Sequence, residues 1–463
     1  MSEILHYHTV NLAMGELLKT FPHATKDEVS AALDKAHEAY TKFWRHTPVA
    51  ERAKLIGKVA ALLRERMQEL AEIGVREIGK TLPITMFELT TAADILDYYA
   101  KNGEAFLKTV PLPGVPGTEV ASEPLGVLLA IEPWNFPFYQ AARVAGPHLI
   151  AGNTLLLKPA ETVPQSALAF EKLFIDAGAP EGVFKTLFCS IPQAHEIIAD
   201  FRVRGVTLTG SEVAGAAVAE AAGRNLKKVV LELGGSDPFI VLEDAPLEEA
   251  IQTAVISRLI NVGQACASTK RYIVVGKERA QQFQEGVVKI FSAIQPGDPM
   301  DPNTTFGPLF SERGAQRLLG QIEAAKAAGA TVVYGGKRID RPGFYVEPTL
   351  ITNISRENPL FMQEAFGPVA SLYIVDTEEE AIELANATHF GLGAVVFSTN
   401  IAHAKEVASK IDAGMVFINS MINAGPEVPF GGVKNSGFGR EGSELGIHEF
   451  VNKKVIRVHE KYL

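Results

Sequence analysis

Cysteine is nearly missing from this chain. There are two in 463 residues, Cys189 and Cys266, and no Cys-x-x-Cys pair. A disulfide framework is excluded, and a reducing compartment fits best. Basic residues are not in excess: 44 Lys and Arg stand against 54 Asp and Glu, a net charge of -10, which argues against nucleic acid or an anionic membrane as partner. No apolar run approaches the ~18 residues of a membrane span. Met1 to Val10 has neither a basic n-region nor an apolar h-region, so a cytoplasmic protein is expected. The 11 histidines show no His-Glu-x-x-His spacing, and no metal site is expected. Internal repeats and low-complexity tracts are absent.

What is present describes a folded, multidomain chain. Hydrophobic residues make up 47% and charged residues 21%, and 463 residues exceed one ordinary core, so two or three domains are expected. The first hundred residues read as helical. Thr25 and Glu28 form a capping box ahead of Val29, Leu33, Ala36 and Tyr40. A second helix is expected from about Val49 to Ile78 and a third around Glu88 to Ala105. Pro111, Pro113 and Pro116 mark a boundary.

From Leu125 to Leu233 strands and helices alternate. Apolar runs at Val127–Ile131, Thr154–Leu157, Val183–Phe188, Val206–Thr209 and Val229–Leu233 predict a parallel, doubly wound sheet. No Gly-x-Gly-x-x-Gly follows the first of them, so pyrophosphate would have to be held in some other way. A second α/β unit begins at Asp237, with strands expected at Pro238–Leu242, Tyr272–Val275, Val369–Val375, Ala394–Ser398 and Met415–Ile418. Gly297–Pro308 and Gly335–Pro348 read as loops. The tail, Phe450 to His459, alternates like a strand that pairs outside its own domain.

Short polar clusters fall at the strand ends, where ligands bind in open α/β sheets. They are Glu132-Pro133-Trp134-Asn135-Phe136-Pro137, Lys158-Pro159-Ala160-Glu161, Thr209-Gly210-Ser211 and Leu231-Glu232-Leu233-Gly234-Gly235. A further stretch, Arg258 to Arg271, holds Cys266 between an apolar run and a strand, where a thiol can face a cleft. Cysteine needs only a modest pKa depression to act as a nucleophile. A buried structural cysteine is the alternative, and it is the one accepted for Cys189, which has no motif around it.

Pro-Trp-Asn-Phe-Pro, Leu-Glu-Leu-Gly-Gly, Gly-Gln-Ala-Cys and Glu-Ala-Phe-Gly-Pro, in this order and spacing, resemble the aldehyde dehydrogenase superfamily from about Thr25 to Val458. The resemblance implies a doubly wound cofactor domain (1–104 and 125–234), an α/β catalytic domain (235–434) and a small β oligomerisation element (105–124 and 435–463). It implies that Cys266 attacks the aldehyde, that Asn135 and the Cys266 backbone N–H hold the oxyanion, and that Glu232 activates water against the thioester. Lys158 and Glu161 would hold the adenine ribose, Gly210 and Ser211 the pyrophosphate, Glu364 and Phe366 the nicotinamide ribose and ring, and Trp134 would pack beside the cofactor. Glu212 departs from the family's usual residue and adds a negative charge near the phosphate. A carboxylate at Glu161 beside a ribose 2′-OH favours NAD over NADP. A homodimer or homotetramer is expected, with 108–123 and the tail as bridging strands.

Within the superfamily the chain is most similar to the shorter bacterial succinate-semialdehyde dehydrogenases, through Gly-Gly-Ser-Asp-Pro-Phe (234–239) and Phe430 to Arg440. Arg143, six residues after Pro137, would hold the substrate's carboxylate by a bidentate pair, or else make a structural ion pair. Some relatives carry an arginine where this chain has Ile260 and a serine where it has Gly425, and Arg258 is a further candidate. A broad-specificity aliphatic or hydroxy-aldehyde dehydrogenase and a catalytically dead binding relative are the alternatives.

Overall fold

The computed structural model describes residues 6–462; Met1 to Leu5, half of the stretch read above for a leader, and Leu463 lie outside it. The chain opens on a hairpin, Tyr7–Asn11 with Glu16–Phe21, that helical periodicity did not reveal. The helix Lys26–Lys42 follows, and both arms of the Thr25–Glu28 capping box are formed. The single helix expected over 49–78 is two, Val49–Glu65 and Met67–Ile78, broken at Arg66. Leu82–Phe106 starts six residues earlier than expected, with Pro83 in its first turn, where a missing N–H costs nothing. The helix Lys26–Lys42 packs on one face of the first sheet, beside Val127, Leu129 and Leu156, and the other three helices join the core on the opposite face, beside Leu128, Ala130, Leu155 and Leu157.

That sheet has six strands in the order Gly437–Phe438, Lys228–Glu232, Val203–Thr209, Val127–Glu132, Thr154–Pro159, Phe184–Thr186. All neighbours are parallel except the first pair. The chain runs outward from Val127–Glu132 to Phe184–Thr186, then crosses back to lay Val203–Thr209 on its other side. This reversal is the topological switch point, where a doubly wound sheet opens a crevice at its carboxyl edge.

The second sheet has seven strands, in the order Thr331–Tyr334, Thr349–Thr352, Val369–Val375, Thr269–Val275, Asp237–Val241, Gly393–Phe397, Met415–Ile418. The first two, which pair antiparallel, flank the Gly- and Pro-rich loop at 335–348 and were missed because they are short. A three-stranded sheet joins Val451–Arg457, Thr118–Pro124 and Val110–Pro111. Only this last part of 435–463 joins that sheet. Gly437–Phe438 returns to the first sheet beside Glu232, and the helix Ser443–His448 packs on the helices Leu82–Phe106 and Pro137–Ala151. Among the described residues no helix is long and apolar enough to cross a membrane.

Candidate active site

The two strand ends at the switch point place their polar clusters on one cleft of about 460 Å³. Trp134 and Asn135 come from the first strand end, Gly210 and Ser211 from the fourth, and Cys266, Glu364 and Phe366 from the second α/β unit. Ser211 is the N-cap of the helix Glu212–Arg224, and its hydroxyl accepts from Ala214 N at 3.3 Å. The free N–H groups at that helix start suit an anion. Glu212, also on the cleft, lies 3.3 Å from the His389 imidazole. Trp134 stacks on Phe310 with ring centroids 3.7 Å apart and meets Phe366 edge-on at 5.8 Å. Phe310 and Arg317 line the cleft as well, and no motif had pointed to them.

The thiol is delivered by a strained turn. After the helix Leu247–Leu259, Asn261 (φ 48°) and Val262 (φ 57°) are left-handed, followed by Gly263 at φ 76°. A β-branched residue there is a costly outlier. The surroundings hold it. Arg258, fully buried, donates to Gly263 O at 2.7 Å, Ser268 Oγ at 2.8 Å and also to Gly367 O. It is a staple of the turn and not a substrate ligand. Asn261 Nδ2 donates to Asn135 O at 3.1 Å, and Gln264 Oε1 accepts from Phe310 N at 3.0 Å. Asn135 Nδ2 in turn donates to Gln264 O at 3.0 Å, two residues before Cys266. One amide proton of Asn135 is thereby spent on the turn and one remains for the cleft.

Asn135 is fixed from behind. Its carbonyl accepts from the buried Lys80 ammonium at 3.1 Å. Lys80 is ion-paired with the equally buried Glu88, whose Oε1 accepts from Phe138 N and Tyr139 N at the start of the helix Pro137–Ala151. This pair lies in a stretch that reads as plain amphipathic helix, so sequence gave no sign of it. Cys266 itself is half-buried, and burial pushes its thiol up to about 11, with Lys270 the leading charge opposing the rise. Cys189 is wholly buried and likewise pushed up to about 11 by burial.

Glu232 lies behind the cleft lining, 1% exposed, at a strand end that also accepts Gly210 N through its backbone oxygen. Neither carboxyl oxygen has a hydrogen-bond partner among the described residues. Burial, then the nearby Glu441, pushes its pKa well above the carboxylate range. Glu132 is buried in the same cluster and shifts the same way for the same first two reasons.

Arg143 requires a correction. It does not line the cleft. It is 3% exposed and ion-paired with Glu441; Nη2 donates to Thr209 Oγ1 at 3.1 Å and Nη1 to the Tyr139 hydroxyl at 3.4 Å. Its guanidinium also lies 4.9 Å from the Phe430 ring centre. Burial would lower its pKa, but Glu441, Tyr139, Glu232 and Glu132 together outweigh this and keep the charge in place. A carboxylate already occupies the fork that was expected to await the substrate. Glu441 comes from the chain's last forty residues, so only the fold could reveal it.

Lys158 and Glu161 sit at the next strand end, outside the lining of the Cys266 cleft. Lys158 Nζ lies 2.9 Å from Glu161 Oε1, and the N-terminal hairpin buttresses the pair, with His8 N donating to Glu161 O at 2.8 Å. Burial would raise the Glu161 pKa, but the Lys158 ammonium outweighs it and holds Glu161 below the usual carboxylate range. Among the described residues no cluster of His, Cys, Asp and Glu could hold a metal.

Residues 2–456 match the model of the aldehyde dehydrogenase family. The chain belongs to this family. Among aldehyde dehydrogenases it is similar to the succinate-semialdehyde dehydrogenase [NADP(+)] of Deinococcus radiodurans, 48% identical over 97% of this chain and 94% of that one. The probable succinate-semialdehyde dehydrogenase [NADP(+)] of Synechocystis is 45% identical, over 97% and 98%. Among solved structures, the succinic semialdehyde dehydrogenase of Streptococcus pyogenes in complex with NADP+ superposes with a TM-score of 0.96, at 45% identity, over 98% of this chain and 99% of that one. The aldehyde dehydrogenase fold expected from the motifs is the fold observed.

Proposed function

We propose that this NAD(P)-dependent aldehyde dehydrogenase oxidises succinate semialdehyde to succinate. The observation that carries the chemistry is the meeting of the Cys266 thiol and the Asn135 amide on one cleft. The similarity to two proteins named for succinate semialdehyde supports the substrate.

The Cys266 sulfur bonds to the aldehyde carbon and gives up its proton. The free Asn135 N–H and the Cys266 N–H receive the oxyanion, and such a donor lowers a barrier by ~3–4 kcal/mol. The bound nicotinamide supplies the hydride acceptor. The acyl group is then held as a Cys266 thioester. Glu232, whose oxygens have no competing partner, takes the proton of the hydrolytic water, and the acid leaves with the thiol restored. Ser211 and the helix start behind it suit the pyrophosphate, and Phe366 and Trp134 form an apolar wall for the ring.

The cofactor reading favours NAD. The Lys158 charge is already neutralised by an ionised Glu161, so a 2′-phosphate would meet a carboxylate and gain no free cation. The named relatives carry NADP(+) in their names, which makes this a point of divergence to be measured. A homo-oligomer is supported by exposed Val455, Ile456 and Val110 on the three-stranded sheet, whose edges invite pairing. A cytoplasmic location agrees with two unpaired thiols.

The second reading, a broad-specificity dehydrogenase of neutral aldehydes, is favoured by one observation: Arg143 is committed to Glu441. The test is the formation of NADH and NADPH with succinate semialdehyde and with butanal. A strong preference for succinate semialdehyde, with NAD the better acceptor, is expected. Equal turnover of butanal would remove the substrate reading and leave the family activity standing.

A further inference from the structure

Lys270 takes no part in the proposed reaction, yet its ammonium bonds the nucleophile's own backbone carbonyl. It is the second residue of the strand Thr269–Val275 and is 2% exposed. Its Nζ donates to Ala265 O at 3.0 Å and to Cys266 O at 2.5 Å, and lies 3.1 Å from Glu364 Oε1. An ammonium has three protons to give, and three acceptors are in place. A neutral amine would leave one of them unmet, so this cage requires the charged form. Glu364 Oε1 is itself aimed by Gly235 N at 3.2 Å. Gly235 has no room for a side chain: a Cβ there would lie 2.9 Å from Cys266 O and 2.8 Å from Asp237 Oδ1. The Cys266 carbonyl and the Glu364 carboxylate are thus drawn around one buried cation, with the Asp237 carboxyl close enough to interact with it.

The charges facing the thiol fall into two groups. Lys270 and Arg143 favour the thiolate, while Glu364 and Glu232 oppose it. The Tyr139 hydroxyl is close enough to interact with it as well. The Asp237 carboxyl is pushed up to about 7 by burial, with Lys270 the leading charge opposing the rise. Arg271 and Arg258 are spent on carbonyls and a hydroxyl: Arg271 on Ser236 O, Leu384 O and Ala385 O, Arg258 on the turn. Of these cations Lys270 is the one that bonds the Cys266 carbonyl itself, and it pairs with Glu364, whose side chain is 19% exposed.

We propose that Lys270 is a positioning residue that locks the Cys266 turn to the Glu364 wall of the cleft and sets the pH at which the thiol ionises. The proposal rests on Cys266 being the nucleophile. Removing the charge raises the ionisation midpoint of Cys266; removing the opposing carboxyl of Asp237 lowers it. A general loosening of the site would not move the two in opposite directions.

The experiment is the pH dependence of iodoacetamide alkylation at Cys266, followed by peptide mass spectrometry on the full-length protein, with Cys189 as internal reference. Lys270→Met is expected to move the midpoint up by about one to three pH units, and so to slow alkylation tenfold or more at a fixed pH below it. Asp237→Asn is expected to move the midpoint down. An unchanged midpoint in Lys270→Met, or shifts of the same sign in both variants, overturns the proposal. If Lys270→Met does not fold, Asp237→Asn decides: a downward shift supports the proposal, and no shift or an upward one overturns it. Cys266 labelling no faster than Cys189 in the wild type would instead overturn the nucleophile reading, and the proposal with it.

Discussion

Gly263→Ala is the smallest change that should disable this enzyme. Gly263 holds φ 76° directly before Gln264-Ala265-Cys266. A methyl group there would overlap the Gly367 carbonyl oxygen and come within 2.5 Å of Arg258 Nη2. Both neighbours are buried and mutually bonded, so neither can step aside cheaply. The left-handed backbone costs an L-residue about 1–2 kcal/mol. Displacing the Arg258 bond to Gly263 O, 2.7 Å long and charge-assisted, costs about 1.5–3 kcal/mol more. The stability loss is then roughly 2.5–5 kcal/mol. The overlap is relieved only by moving the turn or the 365–367 segment, and a ~1 Å displacement of a reacting group is worth ~100-fold in rate. Urea unfolding and steady-state kinetics on the same preparation measure both. Gly320→Ala is the control. Gly320 lies mid-helix in Glu312–Ala327 with nothing within 4 Å of an added Cβ, so it should gain about 0.5–1 kcal/mol and keep full activity. A Gly263→Ala protein within threefold of wild-type kcat and less than about 1 kcal/mol destabilised would refute the account of the turn.

Other substitutions separate the remaining roles. Asn135→Ala removes one oxyanion donor and should lower kcat by about 100- to 1000-fold with little change in KM; a loss confined to KM would mean that Asn135 binds substrate and does not stabilise charge. Glu161→Ser frees the Lys158 ammonium and should shift the ratio of kcat/KM for NADP over NAD upward by tenfold or more, as expected for a lost like-charge contact near phosphate; an unchanged ratio places the 2′-position elsewhere. Arg143→Ala leaves Glu441 buried without its cation and should cost about 3–5 kcal/mol of stability; a stable variant that loses succinate semialdehyde but keeps butanal would return Arg143 to the substrate. His148, buried and pushed down to about 3 by burial, stays neutral in the folded state. The unfolded imidazole takes up a proton below about pH 6.5, so this contribution to stability is whole above that pH and is lost progressively towards pH 3, by up to about 1.4 kcal/mol per unit. His148→Gln should flatten the fall in urea midpoint between pH 7 and 5, and an equal slope in both proteins would show that other groups govern it.

The first sheet and much of the second could be predicted because buried parallel strands are apolar runs bounded by turn residues. All five runs between Val127 and Leu233 became strands of one sheet, and their terminal polar clusters could be placed at one edge by topology alone. The capping box of Lys26–Lys42 was equally visible, because its two residues lie three apart in the chain. Errors came where the signal is short or the periodicity continuous: the Tyr7–Asn11 hairpin, the short strands Thr331–Tyr334 and Thr349–Thr352, and the break at Arg66.

The site divides in the same way. The identities of Cys266, Asn135 and Glu232 could be read from local motifs, since each motif is a contiguous stretch. The partners that give those residues their electrostatics could not. Lys80 and Glu88 stand about fifty residues before Asn135, Glu441 stands almost three hundred after Arg143, and Glu364 almost a hundred after Lys270. A charge's effect depends on distance through a low-dielectric interior, and distance between remote residues exists only once the chain has folded. Sequence by itself determined the sheet and singled out Cys266 and Asn135 as the proposed nucleophile and oxyanion donor. Only the tertiary structure decided that Arg143 belongs to Glu441, that Arg258 staples a strained turn, and that Lys270 stands beneath the thiol.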